Sequence, residues 1–429
     1  MDRMDRMDRM DQGVGPTSSC KARGSVLTRV PTLIAAAIED ETAMAELLLE
    51  WRALADAVQP PSIFLDPAVW QSWRRTLASN AKPLLFVVRE AERMVGVLPA
   101  MIKWAWRGPT LGVRYDYDPA DRRFLTDPPW RMVPLRQLSP ISSLPATMLG
   151  PMLLAQPEHR REVIFTVTAA IAANKGWDVA VIPLEQPDVA LWQDGFAAAK
   201  LRSVQQNIDR KSFYLSNAVS FNTVVARQNQ KFRANVRRVS RVAERAGIAI
   251  TISHDRPAML SWLTQISQES WKAGVRFGEH VMVPFAGPQR DFIKDLLLGT
   301  DGLQSVATIA WLGGKPIAIV LGAVRHRTLT TLLTFWTGAA KEASPGLLTM
   351  AAMIDWAALN GIEVVDFNAN SPWIRHLADH CAVQQNLIAF APTLRGAALA
   401  ALRNASVGAK AMLHWRVADI DPSDWKEQP

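Results

Sequence analysis

The sequence predicts an α/β (α+β) fold built from two tandem units, each a mixed, mainly antiparallel sheet flanked by helices. The chain has 429 residues, enough for two or three domains of typical size. A strand–turn–helix–strand pattern runs through residues 329–367, and a similar helix–glycine–strand pattern occurs in residues 162–184. Because the same order of elements occurs twice, we predict a duplicated architecture.

The spacing of apolar residues defines the elements of the first half. They are helices at residues 41–57 and 67–78, hairpin strands at 84–89 and 94–101 with a turn at 90–93, a helix at 162–174 and a strand at 177–184. Residues 104–140 are rich in Pro, Arg, Asp and aromatic residues and lack periodicity. We therefore expect an insertion or a substrate-facing loop there.

The second half repeats this order. Its predicted elements are helices at residues 258–273 and 285–298, strands at 303–311, 317–324 and 329–336, a helix at 347–359 and a strand at 363–367. The predicted organisation is a disordered leader (1–28), an N-terminal domain without an evident cofactor loop (29–220), a C-terminal domain (221–400) and a tail (401–429). The leader contains Met-Asp-Arg three times and is either disordered or the product of a misassigned start codon.

Composition limits the classes of function. The net charge of +8 fits an anionic partner, which could be a nucleic acid, a membrane surface or a phosphorylated cofactor. Cys20 and Cys381 are too few for a disulfide framework or a structural zinc site. No segment approaches the ~20 apolar residues of a membrane span, and the leader lacks the apolar region of a signal peptide. We expect a cytoplasmic protein.

Ser344-Pro345-Gly346, at the entrance of the predicted helix 347–359, is the most informative motif. Proline suits the first turn of a helix, and glycine allows a ligand to approach the backbone. The free N–H groups and the positive end of the helix dipole favour an anion. The motif therefore predicts a site for a phosphate or diphosphate, and residues 143–154 of the first half offer no equivalent turn.

Residues 227–245 predict an amphipathic helix with a cationic face and a glycine C-cap at Gly247. Its basic residues are Arg227, Lys231, Arg233, Arg237, Arg238, Arg241 and Arg245. This face is either a solvated surface or a docking site for an anionic substrate, a membrane or a nucleic acid. No stacking aromatics or known nucleic-acid motif accompany it, and we expect no DNA partner.

Two further residues are candidates for chemistry. Lys272, near the end of a predicted helix, either neutralises a phosphate or carboxylate or simply complements the helix dipole. Asp366, at the end of a predicted strand, either handles a proton or starts a turn through its own backbone. His376, Asp379, His380 and Cys381 lack the order of a metalloprotease helix, so we expect no metal.

The order of these motifs resembles a known family. A basic helix, Ser-Trp-Lys at a helix end, a Gly-Gly-Lys-Pro-Ile-Ala hairpin, the Ser-Pro-Gly entrance and Gly-Ile-Glu-Val-Val-Asp-Phe follow one another across residues 227–367. With Pro-Ser-Ile-Phe-Leu at residues 61–65 and Met-Val-Gly-Val-Leu-Pro at residues 94–99, the resemblance covers about residues 62–392. This order is similar to that of the CelD/BcsL-type acetyltransferase-like proteins of the GNAT superfamily. They are relatives of the FemAB peptidyltransferases and are linked by name to cellulose or exopolysaccharide biosynthesis.

The resemblance implies two tandem GNAT-like units and acyl transfer from acyl-CoA, for example acetyl-CoA, to an amine or hydroxyl of a small molecule or saccharide. It also implies roles for individual residues. The donor would lie against Phe335, Trp336, Ser344, Pro345, Gly346, Leu347, Leu348 and Thr349, and Asp366 and Phe367 would line the acceptor side. Beyond the resemblance, we expect Asp366 and Lys272 to be catalytic and Arg233, Arg237 and Arg375 to bind the substrate.

The chain departs from the family pattern in two places. The Arg/Gln-x-x-Gly-x-Gly/Ala signature is absent, and residues 368–375 replace a Gly-acid stretch and a Tyr-Lys pair, with Arg375 in place of the lysine. Two alternatives therefore stand beside an acyl-CoA-dependent transferase. One is a FemAB-like transferase that uses aminoacyl-tRNA, the only case in which we expect tRNA. The other is a non-catalytic module that docks on a membrane or a polysaccharide synthase.

Overall fold

A computed structural model describes residues 33–59, 62–108, 117–118, 123–124, 133–140, 152–270, 276–277, 280–281, 285–299, 303–368 and 373–412. Within these ranges, two similar sets of helices and strands form a large mixed sheet with helices on both faces. We refer to residues 33–216 as the N-terminal half and to residues 221–412 as the C-terminal half. No helix in the described ranges is both long and apolar enough to cross a bilayer.

The N-terminal half contains five helices and nine strands within its described residues. They are β1 (Leu33–Ile38), α1 (Glu41–Glu46), α2 (Leu48–Val58), α3 (Pro67–Thr76), β2 (Lys82–Glu90), β3 (Arg93–Arg107), β4 (Tyr117–Asp118), β5 (Arg123–Phe124), β6 (Val133–Pro140), β7 (Leu154–Ala155), α4 (Arg160–Ala173), β8 (Val179–Glu185), α5 (Gln186–Ala198) and β9 (Ser203–Ser216). Short 3₁₀ turns precede α3 (Ile63–Leu65) and α4 (Pro157–His159).

The C-terminal half follows the same order after two additional helices. Its elements are α6 (Phe221–Ala226), α7 (Gln230–Ala246), β10 (Ala249–Ser253), α8 (Arg256–Gln268), β11 (Arg276–Phe277), β12 (His280–Val281), α9 (Gly287–Gly299), β13 (Gln304–Leu312), β14 (Lys315–Arg325), β15 (Thr328–Trp336), α10 (Pro345–Leu359), β16 (Val364–Asp366), β17 (His380–Phe390) and α11 (Leu394–Met412). Further 3₁₀ turns, Lys341–Ala343 and Ile374–His376, precede α10 and β17.

The sheet order relates the two halves by an approximate two-fold repeat. It reads β1-β2-β3-β6-β8-β17-β9-β16-β15-β14-β13-β10, with β7 added beside β3. From either end, three antiparallel pairings lead to one parallel pairing, β6 with β8 and β15 with β16. The prediction of two tandem units, each a mixed, mainly antiparallel sheet flanked by helices, is confirmed.

The two halves exchange a strand at the centre of the sheet. Strand β9, which ends the N-terminal half, pairs with β16 of the C-terminal half, whereas β17 pairs with β8 of the N-terminal half. The two exchanged strands then pair with each other along ten residue pairs. The sheet is therefore continuous from one half to the other.

Helices cover the two faces differently. Along β2, Leu85 and Val87 point into one core and Phe86 and Val88 into another, because side chains alternate along a strand. The first core is shared by α2, α3, α8 and α9 and spans both halves. On the opposite face, α4 and α5 cover the N-terminal strands, and α6, α7 and α10 cover the C-terminal strands.

Residues 104–140 differ from the expectation of an aperiodic insertion. Strand β3 continues to Arg107, and residues 133–140 form β6, which pairs with both β3 and β8. The expectation was wrong for these parts because β3 is much longer than a typical strand and only Ala105 is buried among its last five residues. Trp104 and Trp106 are exposed there, so no alternation of apolar and polar residues marks the strand.

Candidate functional site

The parallel pairing of β15 with β16 is short. It covers only Thr328–Thr330 and Val364–Asp366. Next to it, the Thr331 hydroxyl donates to the Phe367 carbonyl at 2.5 Å. From Thr331, β15 continues for about 17 Å to Trp336, paired with β14 on its other edge. Strand β16 ends at Asp366, so its pairing with β15 does not reach this stretch.

The entrance of α10 follows at the end of this strand. Ala340 and Ser344 have left-handed backbones, with φ of 53° and 45°, on either side of the 3₁₀ turn Lys341–Ala343. A non-glycine residue in this region is strained, and such strain is concentrated at functional sites. Ser344 is the N-cap of α10, yet its side chain makes no capping hydrogen bond. The side chain that usually satisfies the first turn of a helix is thus not used for that purpose.

The other residues of the entrance are packed closely. A Cβ on Gly346 would lie 3.1 Å from Cε3 of Trp336, so the glycine allows the helix to contact the indole. The N–H groups of Leu347 and Leu348 both donate to the Ser344 carbonyl, at 2.9 and 3.3 Å. They are therefore already bonded, and the expectation of a row of free amides does not hold for them. An anion at this end of α10 would be stabilised by the positive end of the helix dipole instead.

Two of the expected donor-binding residues are buried. Phe335 is buried in the core shared by both halves, with its ring 6.5 Å from that of Phe285. Thr349 is fully buried, and its hydroxyl donates to the carbonyls of Pro345 and Gly346. Both side chains therefore support the backbone of the site from inside the protein, and neither is exposed to contact a ligand.

The basic helix, α7, lies beside the entrance of α10. It begins at Asn229, whose Oδ1 accepts from the Phe232 N–H, and ends at Gly247 in a left-handed C-cap. Val239 and Ala243 are buried, whereas five basic residues are exposed: Lys231, Arg237, Arg238, Arg241 and Arg245. We call these five the cationic face. It makes no ion pair with any residue of the described ranges.

Two contacts hold α7 in place, one of them at the turn before the entrance of α10. Arg238 donates from Nη1 to the Glu342 carbonyl at 3.1 Å, within the turn that precedes Ser344. Phe232, near the start of α7, stacks on His376 at 4.9 Å, next to the exposed Arg375. Arg233 differs from the five because it is half-buried and donates to the carbonyls of Ala226 and Gln228.

Asp366 lies at the point where β15 and β16 separate. It is 1% exposed and points to the face opposite α10, since its neighbours Val365 and Phe367 contribute to the core under that helix. Its Oδ1 accepts from the Asn368 N–H at 2.8 Å, which is the turn hydrogen bond given above as the alternative to a catalytic role. Burial raises the pKa of Asp366 to about 7; Glu185 also raises it, and the Asn368 N–H opposes the rise.

Two residues near Asp366 were missed by the sequence reasoning. Tyr214 on β9 pairs directly with Asp366, and its hydroxyl donates to Oε1 of Glu185, at the end of β8, at 3.3 Å. Burial raises the pKa of both Tyr214 and Glu185. These side chains come from distant parts of the chain and belong to no motif, so only knowledge of the exchanged strands could have identified them.

A neighbouring hydroxyl is also notable. Thr330 is fully buried and pairs with Asp366 across the two parallel strands. Its Oγ1 has no hydrogen-bond partner among the described residues. A buried polar atom without a partner is unusual in folded proteins.

Other predicted residues lie at varying distances from this site. Phe367 is buried under α10, and Lys272 lies outside the described residues. Ser270, two positions before Lys272, forms a β-bridge with Thr337 at the end of β15. Asp379 accepts a hydrogen bond from the Ser216 N–H, and the described residues contain no group of three or more His, Cys, Asp or Glu arranged to hold a metal ion.

Comparison with known proteins gives one sequence match and several structural ones. Residues 230–375 match the model described as an acetyltransferase (GNAT) domain, whereas no curated protein matches the chain. The crystal structure of FemX is 10% identical and aligns with a TM-score of 0.51, over 82% of this chain and 96% of that one. At this identity the similarity shows the fold alone.

Two other solved structures align over most of their lengths with lower TM-scores. One is the C-terminal domain (DUF2156) of a putative lysylphosphatidylglycerol synthetase from Agrobacterium fabrum, at 13% identity and 0.45, covering 85% of this chain and 96% of that one. The other is a tandem GNAT protein from the clavulanic acid biosynthesis pathway, at 11% and 0.41, covering 84% and 98%.

The sequence match covers the parts of the site described above. It extends from the start of α7, through the entrance of α10 and Asp366, to Arg375. Residues 230–375, in the C-terminal half of this chain, are thus similar in sequence to an acetyltransferase (GNAT) domain.

Proposed function

We propose that the C-terminal half transfers an acyl group from acyl-CoA to an amine or hydroxyl of a small molecule or saccharide. The observation that supports this most strongly is the layout of β15, which runs from its pairing with Asp366 to the entrance of α10. A diphosphate at the helix entrance and a reacting group at Asp366 would be separated by about 20 Å of strand. A nucleotide joined to its thioester by a long pantetheine arm has this elongated shape.

The charges near the helix entrance suit such a donor. The cationic face of α7 lies beside the turn before Ser344, and it forms no ion pair with a described residue. The uncapped first turn of α10 adds the positive end of its dipole. The phosphates of acyl-CoA would therefore bind between Ser344 and α7, with Pro345, Gly346 and the indole of Trp336 shaping the turn.

The proposed reaction is direct attack on the thioester. The acceptor nitrogen or oxygen forms a bond to the acyl carbon, the carbon–sulfur bond breaks, and the thiol of CoA leaves. Backbone N–H groups would polarise the thioester carbonyl. Asp366, directly or through a water, would take the proton that the acceptor loses, since a carboxylate with a pKa near 7 is a useful base near neutral pH.

Other roles in this proposal rest on position or on the family resemblance. Lys272 would be a second catalytic residue, and Phe367, Arg375 and Arg233 would line the acceptor side. Arg237, expected on the acceptor side from the sequence, is assigned with the rest of the cationic face to the donor phosphates. The resemblance to CelD/BcsL-type proteins suggests a step in exopolysaccharide or cell-envelope biosynthesis, carried out in the cytoplasm, where acyl-CoA is made.

The proposal is tested by binding and turnover of acetyl-CoA. We expect calorimetry to detect binding, and CoA release to depend on an acceptor drawn from a panel of amino sugars. Ser344→Asp places a negative charge at the helix entrance and should abolish binding; Asp tolerates the left-handed backbone, so the fold should survive.

Ser220→Asp is the matched control. Ser220 is the N-cap of α6 and already accepts from the Thr223 N–H, a role that Asp performs equally well. This variant should bind acetyl-CoA as the unmodified protein does. Absence of acyl-CoA binding by the unmodified protein would refute the proposal.

The cationic face supports a second candidate, a FemAB-like transfer from aminoacyl-tRNA. Five exposed basic residues on one helix would grip a phosphate backbone, and binding would weaken steeply with salt. Filter binding of aminoacyl-tRNA between about 50 and 200 mM salt distinguishes the candidates. Salt-dependent tRNA binding without acyl-CoA binding would favour the second candidate. Binding to anionic vesicles alone would indicate a non-catalytic membrane module.

A further inference from the structure

The four central strands carry a polar cluster to which both halves contribute. Across the sheet, Asp366 of β16 is opposite Tyr214 of β9, and Tyr214 is opposite His380 of β17. Glu185 of β8 is opposite Gln384 of β17. Directly opposite residues of paired strands share a face, so Asp366, Tyr214 and His380 lie side by side.

Contacts within the cluster cross the exchanged strands. The Tyr214 hydroxyl donates to Oε1 of Glu185 at 3.3 Å, reaching past β17. Gln384 Nε2 donates to the Ser212 hydroxyl at 3.1 Å, and both residues are buried. The rings of Tyr214 and His380 are 5.9 Å apart. A change at Glu185 therefore reaches the surroundings of Asp366 through Tyr214.

The two carboxylates occupy equivalent places in the repeat. Asp366 is the last residue of β16, the strand that pairs in parallel with β15. Glu185 is the last residue of β8, the strand that pairs in parallel with β6. The N-terminal half thus supplies an acid at the position where the C-terminal half supplies Asp366.

We propose that Glu185 and Tyr214 of the N-terminal half are positioning residues for Asp366, and that Glu185 strengthens Asp366 as a base. The proposal deepens the function proposed above and rests on it. The Tyr214 hydroxyl holds the Glu185 carboxylate in place, and the negative charge of Glu185 disfavours a second charge on Asp366. The N-terminal half would in this way tune the reaction in the other half.

Other charged groups near the cluster also affect the pKa of Glu185. His380 on β17 is exposed, and Asp188 at the start of α5 forms an ion pair with Arg160 at the start of α4. Asp188 raises the pKa of Glu185, whereas His380 and Arg160 lower it. The backbone of Arg210 pairs with Gln384. None of these residues is changed in the test.

The first test is the pH dependence of kcat/KM. Asp366 must be deprotonated to accept a proton, so activity falls on the acid side of its pKa. Glu185→Gln removes the like charge and should move this acid limb to lower pH by about half a unit or more. Tyr214→Phe should move it in the same direction by less, because without its hydrogen bond Glu185 is protonated more readily.

The matched control removes a carboxylate outside the cluster. Glu363 lies three residues before Asp366, is exposed and pairs with Arg327. Glu363→Gln should leave the acid limb where it is. Reduced activity of Glu185→Gln with an unshifted acid limb would indicate a merely structural role and overturn the proposal.

A second measurement does not depend on turnover. The difference in unfolding free energy between the unmodified protein and Asp366→Asn, followed against pH, reports the pKa of Asp366 in the folded state. We expect the same difference curve, measured in the Glu185→Gln background, to level off at a lower pH. Superimposable curves would overturn the coupling. Shifted curves from a protein that turns over no acyl-CoA would support the coupling while refuting the proposed function.

Discussion

At the scale of single residues, Asp366 makes the turn hydrogen bond that the sequence presents as the alternative to proton handling. Its Oδ1 accepts from the Asn368 N–H, and burial raises its pKa to about 7. The hydrogen bond fixes the side chain, and under the proposed function the raised pKa suits it to accept a proton near neutral pH. Thr330 pairs with Asp366 across the strands, and its hydroxyl has no hydrogen-bond partner among the described residues.

Asp366→Asn should stabilise the protein at alkaline pH. The pKa of Asp366 is about 7 in the folded state, against a reference value of 3.8. The unfolded chain therefore releases its proton first, and stability is lost as the pH rises from about 4 to about 7. Because each pKa unit is worth about 1.4 kcal/mol, the loss approaches an upper value of about 4 kcal/mol above pH 8.

Chemical denaturation of both proteins between pH 4 and pH 9 measures this effect. The variant should match the unmodified protein at the acid end and exceed it at the alkaline end. Equal stabilities across the whole range would mean that Asp366 is charged and well solvated in the folded state.

At the scale of elements, most helices and strands could be predicted, because their apolar periodicity reflects burial on one face. The hairpin β13–β14 and the helices α9 and α10 agree with the pattern within a few residues. Strand β17 was not predicted because Gln384, Gln385 and Asn386, polar residues buried at the centre of the sheet, interrupt the apolar alternation. Its assignment depends on partners distant in the sequence.

The candidate site, too, could be predicted from the sequence only where its residues are neighbours along the chain. Ser344, Pro345 and Gly346 could be located because the turn and the helix entrance are local in sequence. The strain at Ser344 and the hydrogen bonds of the Leu347 and Leu348 amides depend on how the preceding 3₁₀ turn packs, and no residue pattern encodes that. Tyr214 and Glu185 depend on the strand exchange.

Helix α7 provides a prediction at the scale of an element. Replacing Arg237 and Arg241 with Ala should weaken acetyl-CoA binding about three- to ten-fold, since each exposed charge contributes only a few tenths to about 1 kcal/mol. The salt dependence of binding should also decrease. Titration calorimetry at low and high salt measures both effects.

Lys175→Ala with Lys200→Ala is the control for this pair. Both lysines are exposed in the N-terminal half, and the double change removes the same net charge. Equal weakening by the two double variants would mean that α7 acts only through the overall charge of the protein. In that case the cationic face would not be part of the donor site.

At the scale of the whole molecule, the exchange of β9 and β17 makes the halves interdependent. Each half contributes one of the two strands at the centre of the sheet, and each exchanged strand pairs with the other half. The core under α2, α3, α8 and α9 also draws on both halves. The N-terminal half is therefore required structurally, whatever its part in the chemistry.

This interdependence predicts that neither half folds alone. A fragment of residues 221–412 lacks β9, so one edge of β16 and one edge of β17 lose their partners, and its share of the common core is exposed. A fragment of residues 33–220 loses β17 and leaves β8 and β9 unpaired at that edge. We expect each fragment to aggregate or to unfold without cooperativity, and the two co-expressed fragments to form a one-to-one complex. Circular dichroism and size-exclusion chromatography test this, and a monomeric 221–412 fragment with a cooperative unfolding transition would contradict it.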